Sequence, residues 1–252
     1  MEVERITGVK DPALLTEEHA RKYRDHQLDT VSPNTTKTRI RSIRALYEVA
    51  LAEKWISKNP FDAVKLRFIK GQAKRKEVVR LDHIDKKVRE GAMPIDHTRV
   101  FWIARLTGAH ISEASGIQYR DLDLENGVIT IQGNELRPLK NSFREREIPM
   151  LDKLKQALSG IDVSAHKPDE HVFPQMFNHN TKRWGYGLQW DRRIGVTPKA
   201  CRDCVATTLR DCDVNERVIG AILGHTPKTS TGLYGAVSME AKLKALNYLT
   251  NE

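Results

Sequence analysis

Between Lys65 and Arg80 the chain reads KLRFIKGQAKRKEVVR, with seven basic residues and a single acid, Glu77. A run of like charge this dense, with one glycine and weak apolar periodicity, cannot close over a hydrophobic core. It reads as a linker, so the residues on either side must bury their apolar faces separately. A surface tether need not be so cationic. The density points to a linker that follows a polyanion, and a phosphate backbone is the partner expected, with Lys70, Lys74, Arg75 and Lys76 as contacts.

The rest of the composition agrees. The net charge is +9, with 39% hydrophobic and 30% charged residues over 252 positions, which suits a globular chain and excludes a disordered tail. Three cysteines do not make a disulfide framework and point to a reducing compartment. Cys201 and Cys204 have C-x-x-C spacing, but no second pair follows, so they are read as core positions one helical turn apart and no metal is expected. No apolar run approaches the ~20 residues of a membrane span, and the first thirty residues are too charged for a signal peptide. A cytoplasmic protein is expected, and NTT at Asn34 is then ordinary polar sequence.

Residues 1–66 read as a small helical domain. Thr16, followed by Glu17 and Glu18, marks one helix start, and Ser32-Pro33 marks a stronger one. Ile40, Ile43, Leu46, Tyr47, Ala50 and Leu51 are expected on one face of the second helix. Lys37, Arg39, Arg41 and Arg44 fall elsewhere and are candidate DNA contacts, although a solvated cationic face explains them equally well. Asn59-Pro60 ends the segment. Residues 67–80 form the linker, and 81–252 a larger, mostly helical domain. In it, helices are expected near 82–90 and 97–107, with a break at Gly108 and a short helix ending near Gly116. DLDLENGVITIQG alternates as a strand, with a turn at Asn126-Gly127. ELRPLKNSFREREIPM reads as a hairpin with Lys140 near its turn. From about residue 152 the pattern is helical again through LDKLKQAL, TKRWGYGLQW, PKACRDCVATTLRDC, NERVIGAILG and SMEAKLKALNYL, with Gly224 closing the fourth of these. The fold class expected is mainly α, of the α+β type, with one small three-stranded antiparallel sheet.

Once the apolar faces are assigned, a polar set is left over: Lys140 on a hairpin tip, Lys199 and Arg202 on one helix, His225 after a helix end, and Tyr234 nine residues on. Each alone is an ordinary surface residue. Together they are what attack on a phosphodiester needs: an oxygen nucleophile, cationic donors for the charge growing on the non-bridging oxygens, and an acid for the leaving alkoxide. Lys199 and Arg202, three apart, are expected to present both cations on one helical face. A metal-dependent nuclease would need a carboxylate cluster, whereas the acids of YRDLDLE alternate along a strand entry.

The order of these motifs resembles the tyrosine recombinase (phage integrase) family over most of the chain. TVSPNTTKTRIRSIRALYEVALAEKWISKNPF resembles that family's core-binding domain. LTGAHISEASGIQYRDLDLENG is similar to its box I, LRPLKNSFREREIPM to its catalytic hairpin, KACRDCVATTL to its box II, and ILGHTPKTSTGLYG to its nucleophile region. The resemblance implies that Tyr234 attacks the scissile phosphate and forms a 3′-phosphotyrosyl link. It implies that Lys140 is the general acid, that Arg202 and His225 bind the phosphate, and that Lys199 is an acid–base group. It also implies that neither ATP nor any other cofactor is used. The core-binding domain and linker would grip double-stranded DNA. A C-terminal helix that begins at Ser238 would dock into a neighbouring protomer, giving a monomer in solution and a tetramer on DNA. Packing of that helix on its own domain is the competing expectation. An additional arm-site DNA-binding domain is expected to be absent from these residues.

Two positions depart from the family pattern. Asp203 stands where many relatives have histidine, and a carboxylate there can orient a neighbouring cation. His110, in GAHISE, stands where the family has its first catalytic arginine. Imidazole is shorter and cannot make a bidentate fork. Arg105 is expected to point away and not to replace it. Impaired strand cleavage is one expectation. A DNA-binding regulator on a recombinase scaffold, or a type IB topoisomerase-like relaxing activity, are the alternatives.

Overall fold

The chain divides into two units, Met1–Lys76 and Glu77–Glu252. The computed structural model describes residues 2–66, 80–139, 144–226 and 235–250. The cut falls within the expected linker, and Lys70, Lys74, Arg75 and Lys76 lie outside the described residues.

In the first unit, α1 (Glu2–Thr7) and a turn of 3-10 helix at Pro12–Leu14 precede α2 (Glu17–Thr30) and α3 (Pro33–Ala52). The starts of α2 and α3 follow from their capping residues. Thr16 Oγ1 accepts from the His19 N–H and Ser32 Oγ from the Thr35 N–H, each satisfying a donor the helix leaves open. The core is Leu15, Ala20, Tyr23, Ile40, Phe61 and Val64, with Tyr23 edge-on to Phe61 at 6.2 Å between ring centroids. Ile43 and Tyr47 pack against this core as expected, whereas Leu46 is 70% exposed. Six residues after Ile40 is 600°, about 120° off its direction, so the helix carries Leu46 out of the buried stripe.

Two of the four candidate cations on α3 have partners inside the unit. Arg39 Nη1 donates to Gln27 Oε1 at 2.6 Å and Glu2 Oε1 at 2.9 Å. Arg44 Nη2 donates to the carbonyls of Phe61 (2.7 Å) and Val64 (3.2 Å), which ties the chain beyond α3 back to it. Lys37 and Arg41 are exposed.

The second unit contains α4 (Asp82–Arg89), α5 (Ile95–Thr107), α6 (Ile111–Ser115), β1 (Leu122–Asp123), β2 (Val128–Ile131), β3 (Arg146–Pro149), α7 (Asp152–Leu158), β4 (Phe177–Asn178), β5 (Arg183–Trp184), α8 (Trp190–Arg193), α9 (Pro198–Asp211), α10 (Glu216–Leu223) and α11 (Met239–Leu246). It is mainly α with small antiparallel sheets. β1, β2 and β3 form one antiparallel sheet in that order, with Ile129 opposite Ile148. Residues Val100–Thr107 of α5 are buried throughout, as in a helix surrounded by its own domain. Arg105 among them donates to Asp85 Oδ1 at 3.3 Å, away from the candidate site. Cys201 and Cys204 are buried in the same core.

One expected helix is absent. TKRWGYGLQW instead forms β5, paired with β4, followed by turns at Gly185 (φ +87°) and Gly187 (φ +77°). Each glycine costs a helix about 1 kcal/mol relative to alanine. Trp184 gains more by packing on Phe177, 5.0 Å between centroids. Only Trp190–Arg193 is helical there. The C-terminal helix α11 starts at Ser238 as expected, and its Ala245 and Leu246, with Leu249 beyond it, are buried in this unit's own core.

Candidate active site

α5 stops at Gly108, whose φ of +67° is the left-handed turn glycine adopts without strain. The turn sets His110 at the N-cap of α6. Its backbone N–H donates to Glu113 Oε2 at 3.0 Å, closing the first turn.

Glu113 is 3% exposed and needs cationic partners at that depth. β3 and the residues entering it supply them: Arg146 Nη2 at 2.9 Å and Arg144 Nη1 at 3.4 Å. Arg146 also donates Nε to the Ile222 carbonyl and Nη1 to the Arg144 carbonyl, both at 2.7 Å. Ile222 and Leu223 are the last residues of α10, which closes at Gly224 with φ +67°. Their carbonyls have no helical N–H to accept, and arginines fill that role. Arg202, on α9, donates Nη2 to the Leu223 carbonyl (2.6 Å) and Nη1 to the Gly108 carbonyl (2.7 Å). One buried guanidinium thus binds the ends of α5 and α10 together, immediately before His110 on one side and His225 on the other.

Gly224 has no room for a side chain. A Cβ there would lie 2.8 Å from Arg146 Nη1 and 3.1 Å from Arg144 Cα. The His225 N–H returns to the Gly220 carbonyl at 2.9 Å.

The charges of this cluster act on one another. Burial, and then the Arg202 charge, lower the His110 imidazole from 6.5 to about 4, with Arg144 and Arg146 adding to the effect against Glu113. His225 is lowered by burial and then by Arg202, Arg210, Arg146 and Arg144. Arg202 itself is lowered to about 10 by burial and by Arg146. Burial pushes Glu113 up, but the Arg146 charge and hydrogen bond outweigh it and hold the carboxyl below its ordinary value. At neutral pH the cluster holds two neutral imidazoles and three guanidiniums around one carboxylate. That is a site of net positive charge with fixed donors, suited to an oxyanion.

Of the residues expected to form the site, His110 and His225 are both brought within electrostatic reach of Arg202. Lys199 is exposed and donates to both oxygens of Asp203, at 2.7 and 2.6 Å. Arg202, three residues on along α9, is buried, so the two cations sit in different surroundings. Asp203 does orient a neighbouring cation, as expected. Lys140 and Tyr234 lie outside the described residues. Two of the three acids of YRDLDLE have local partners: Asp121 accepts from Gln118 N (2.8 Å) and Gln132 Nε2 (2.6 Å), and Asp123 from Asn126.

Glu113, Arg144 and Arg146 were not expected in the site. A signal for each was present in the sequence. Glu113 stands three residues after an N-cap, and Arg144 and Arg146 alternate at the period of a strand.

The phage integrase family model matches residues 72–241. The tyrosine recombinase XerC of Lactobacillus leichmannii is 22% identical over 222 residues, covering 83% of this chain and 74% of that protein. The transposase of transposon Tn916 from Enterococcus faecalis is 23% identical over 244 residues, covering 82% of this chain but 60% of its own length. Among solved structures, the Tn1549 transposon integrase in complex with circular intermediate DNA aligns with a TM-score of 0.62 at 22% identity, over 96% of this chain and 88% of that one. A lambda integrase dimer bound to a COC′ core site aligns with a TM-score of 0.59 at 16% identity, over 98% and 84%. At such identities these structural likenesses speak for the fold. The family model, covering most of the chain, goes further: this protein belongs to the phage integrase family.

Proposed function

We propose that this chain is a site-specific DNA recombinase that binds double-stranded DNA and exchanges strands through a 3′-phosphotyrosyl intermediate. The observation that carries this reading is the convergence of His110, Arg202 and His225, from three separate segments, on one positively charged cluster at the ends of α5 and α10. In this reading the Tyr234 oxygen bonds to phosphorus while the bond from phosphorus to the 5′ oxygen breaks. The phenol proton passes to His225, whose lowered pKa leaves it neutral and able to accept. Lys140 protonates the departing 5′ oxygen, and Lys199, held by Asp203, serves acid–base exchange. Religation reverses these steps, so no external energy source is consumed. The protein acts in the cytoplasm, as a monomer in solution and a tetramer on DNA. With Ala245 and Leu246 buried in their own unit, Leu243 and Tyr248 are the large apolar residues left exposed for a neighbour among the described residues of the tail.

The test is covalent trapping on a nicked suicide duplex carrying the encoding element's own ends. A protein–DNA adduct is expected from the natural sequence and none from Tyr234→Phe. Equal adduct from both would remove Tyr234 from the reading. The neutral imidazole at position 110 favours a second reading, a DNA-binding regulator without cleavage. It predicts no adduct until His110→Arg is introduced.

A further inference from the structure

Two guanidiniums lie on Glu113, and they are not equivalent. Arg146 is sealed, 3% exposed, with all three of its nitrogens bonded inside the unit. Arg144 touches the same carboxylate through Nη1 alone, at a looser 3.4 Å, and its side chain stays 27% exposed. Arg202 is buried and has two nitrogens on backbone carbonyls. Glu113 therefore has one partner it cannot release and one it can. Should Arg144 leave, Glu113 Oε2 keeps the Arg146 guanidinium and the His110 N–H, so the buried charge keeps an ion-pair partner, and Oε1 gives up its one long bond.

Arg144 is also placed near the two histidines of the candidate site. Its backbone packs on Gly224, the residue before His225, and its charge is felt by both His110 and His225. His110 itself is neutral and contributes no cation.

We propose that Arg144 is the phosphate-binding guanidinium that position 110 does not supply, turning from Glu113 to the non-bridging oxygens when DNA is bound. This rests on the phosphoryl-transfer reading above. A planar fork of N–H donors meets two phosphate oxygens, which an imidazole cannot do. The role makes Arg144 and position 110 substitutes for one another. An arginine at 110 would add a fourth guanidinium to the cluster and leave Arg144 redundant.

The test is a cycle of Arg144→Gln and His110→Arg, singly and together, in the full chain, with Arg144→Lys as a conservative check. Two readouts are taken: the rate of adduct formation on the nicked duplex, and the affinity for inorganic phosphate followed by the His110 ring resonances, or those of His225 where position 110 is changed. With His110 present, Arg144→Gln is expected to slow the adduct about 10²–10³-fold and weaken phosphate binding about tenfold. In the His110→Arg background the same change is expected to cost far less, and Arg144→Lys to fall between. Unfolding midpoints of Arg144→Gln and Arg144→Lys separate these losses from misfolding. Equal losses in the two backgrounds overturn the assignment, as does phosphate affinity indifferent to Arg144. Absence of any adduct, with phosphate affinity still dependent on Arg144, sinks the cleavage reading and leaves this assignment standing.

Discussion

His110 is held in a state its own chemistry disfavours at mildly acid pH. In the unfolded chain the ring takes a proton near its ordinary value of 6.5, while in the folded protein it resists until about 4. Between those values the unfolded state binds a proton that the native state refuses, so stability must fall as the pH is lowered through that window. The unfolding midpoint in urea should therefore drop between pH 7 and pH 5, and His110→Gln should drop less. The slope will not vanish in the variant, because burial lowers His97, His171 and His225 as well. A variant with the full slope of the natural sequence would mean that the ring is solvated. Glu113 is the counterpart: cutting Arg146 back to alanine leaves a buried carboxylate with only the long Arg144 bond and the His110 N–H, a loss expected to approach the cost of a broken buried ion pair, about 3–5 kcal/mol.

Elements were legible in the sequence wherever a local device ends them. Thr16, Ser32 and Ser238 cap helices and Gly108 and Gly224 close them, because each acts through its own backbone and the next few residues. What could not be read depended on distant partners. Trp184 takes residues 181–189 out of helix for the sake of Phe177, 7 positions earlier in chain order and across a strand pair. The inward face of Arg144 and Arg146 is chosen by Glu113, 31 and 33 residues away. The C-terminal helix shows the same dependence. Its amphipathic pattern fits docking on any apolar surface, and only the fold shows Lys242 Nζ on the Glu147 carbonyl at 2.8 Å and Leu246 fully buried in the same unit. Leu246→Ala should then destabilise the isolated monomer by about 2–5 kcal/mol, measured by denaturant unfolding at low protein concentration. A tail that belonged to a neighbouring protomer would leave the monomer's midpoint where it was.

At the scale of the molecule, the +9 charge divides into cations that hold the fold and cations left for a partner. On α3 the division is sharp. Arg39 and Arg44 are bonded within the first unit, whereas Lys37 and Arg41, four apart and so on one helical face, are exposed. If this unit grips DNA, the two kinds of cation must respond differently to substitution. Each phosphate neutralised by an exposed cation releases counterions and adds about 0.9 to the slope of log affinity against log salt. Lys37→Ala and Arg41→Ala should each flatten that slope by about 1 and leave the unfolding midpoint almost unmoved. Arg44→Ala should do the reverse: it frees the Phe61 and Val64 carbonyls and loosens the unit, with the salt slope unchanged for the fraction that stays folded. Fluorescence anisotropy on a labelled duplex across a potassium chloride series, paired with urea unfolding of each variant, reads both quantities. A slope indifferent to Lys37 and Arg41 would move the DNA contacts of this unit off α3.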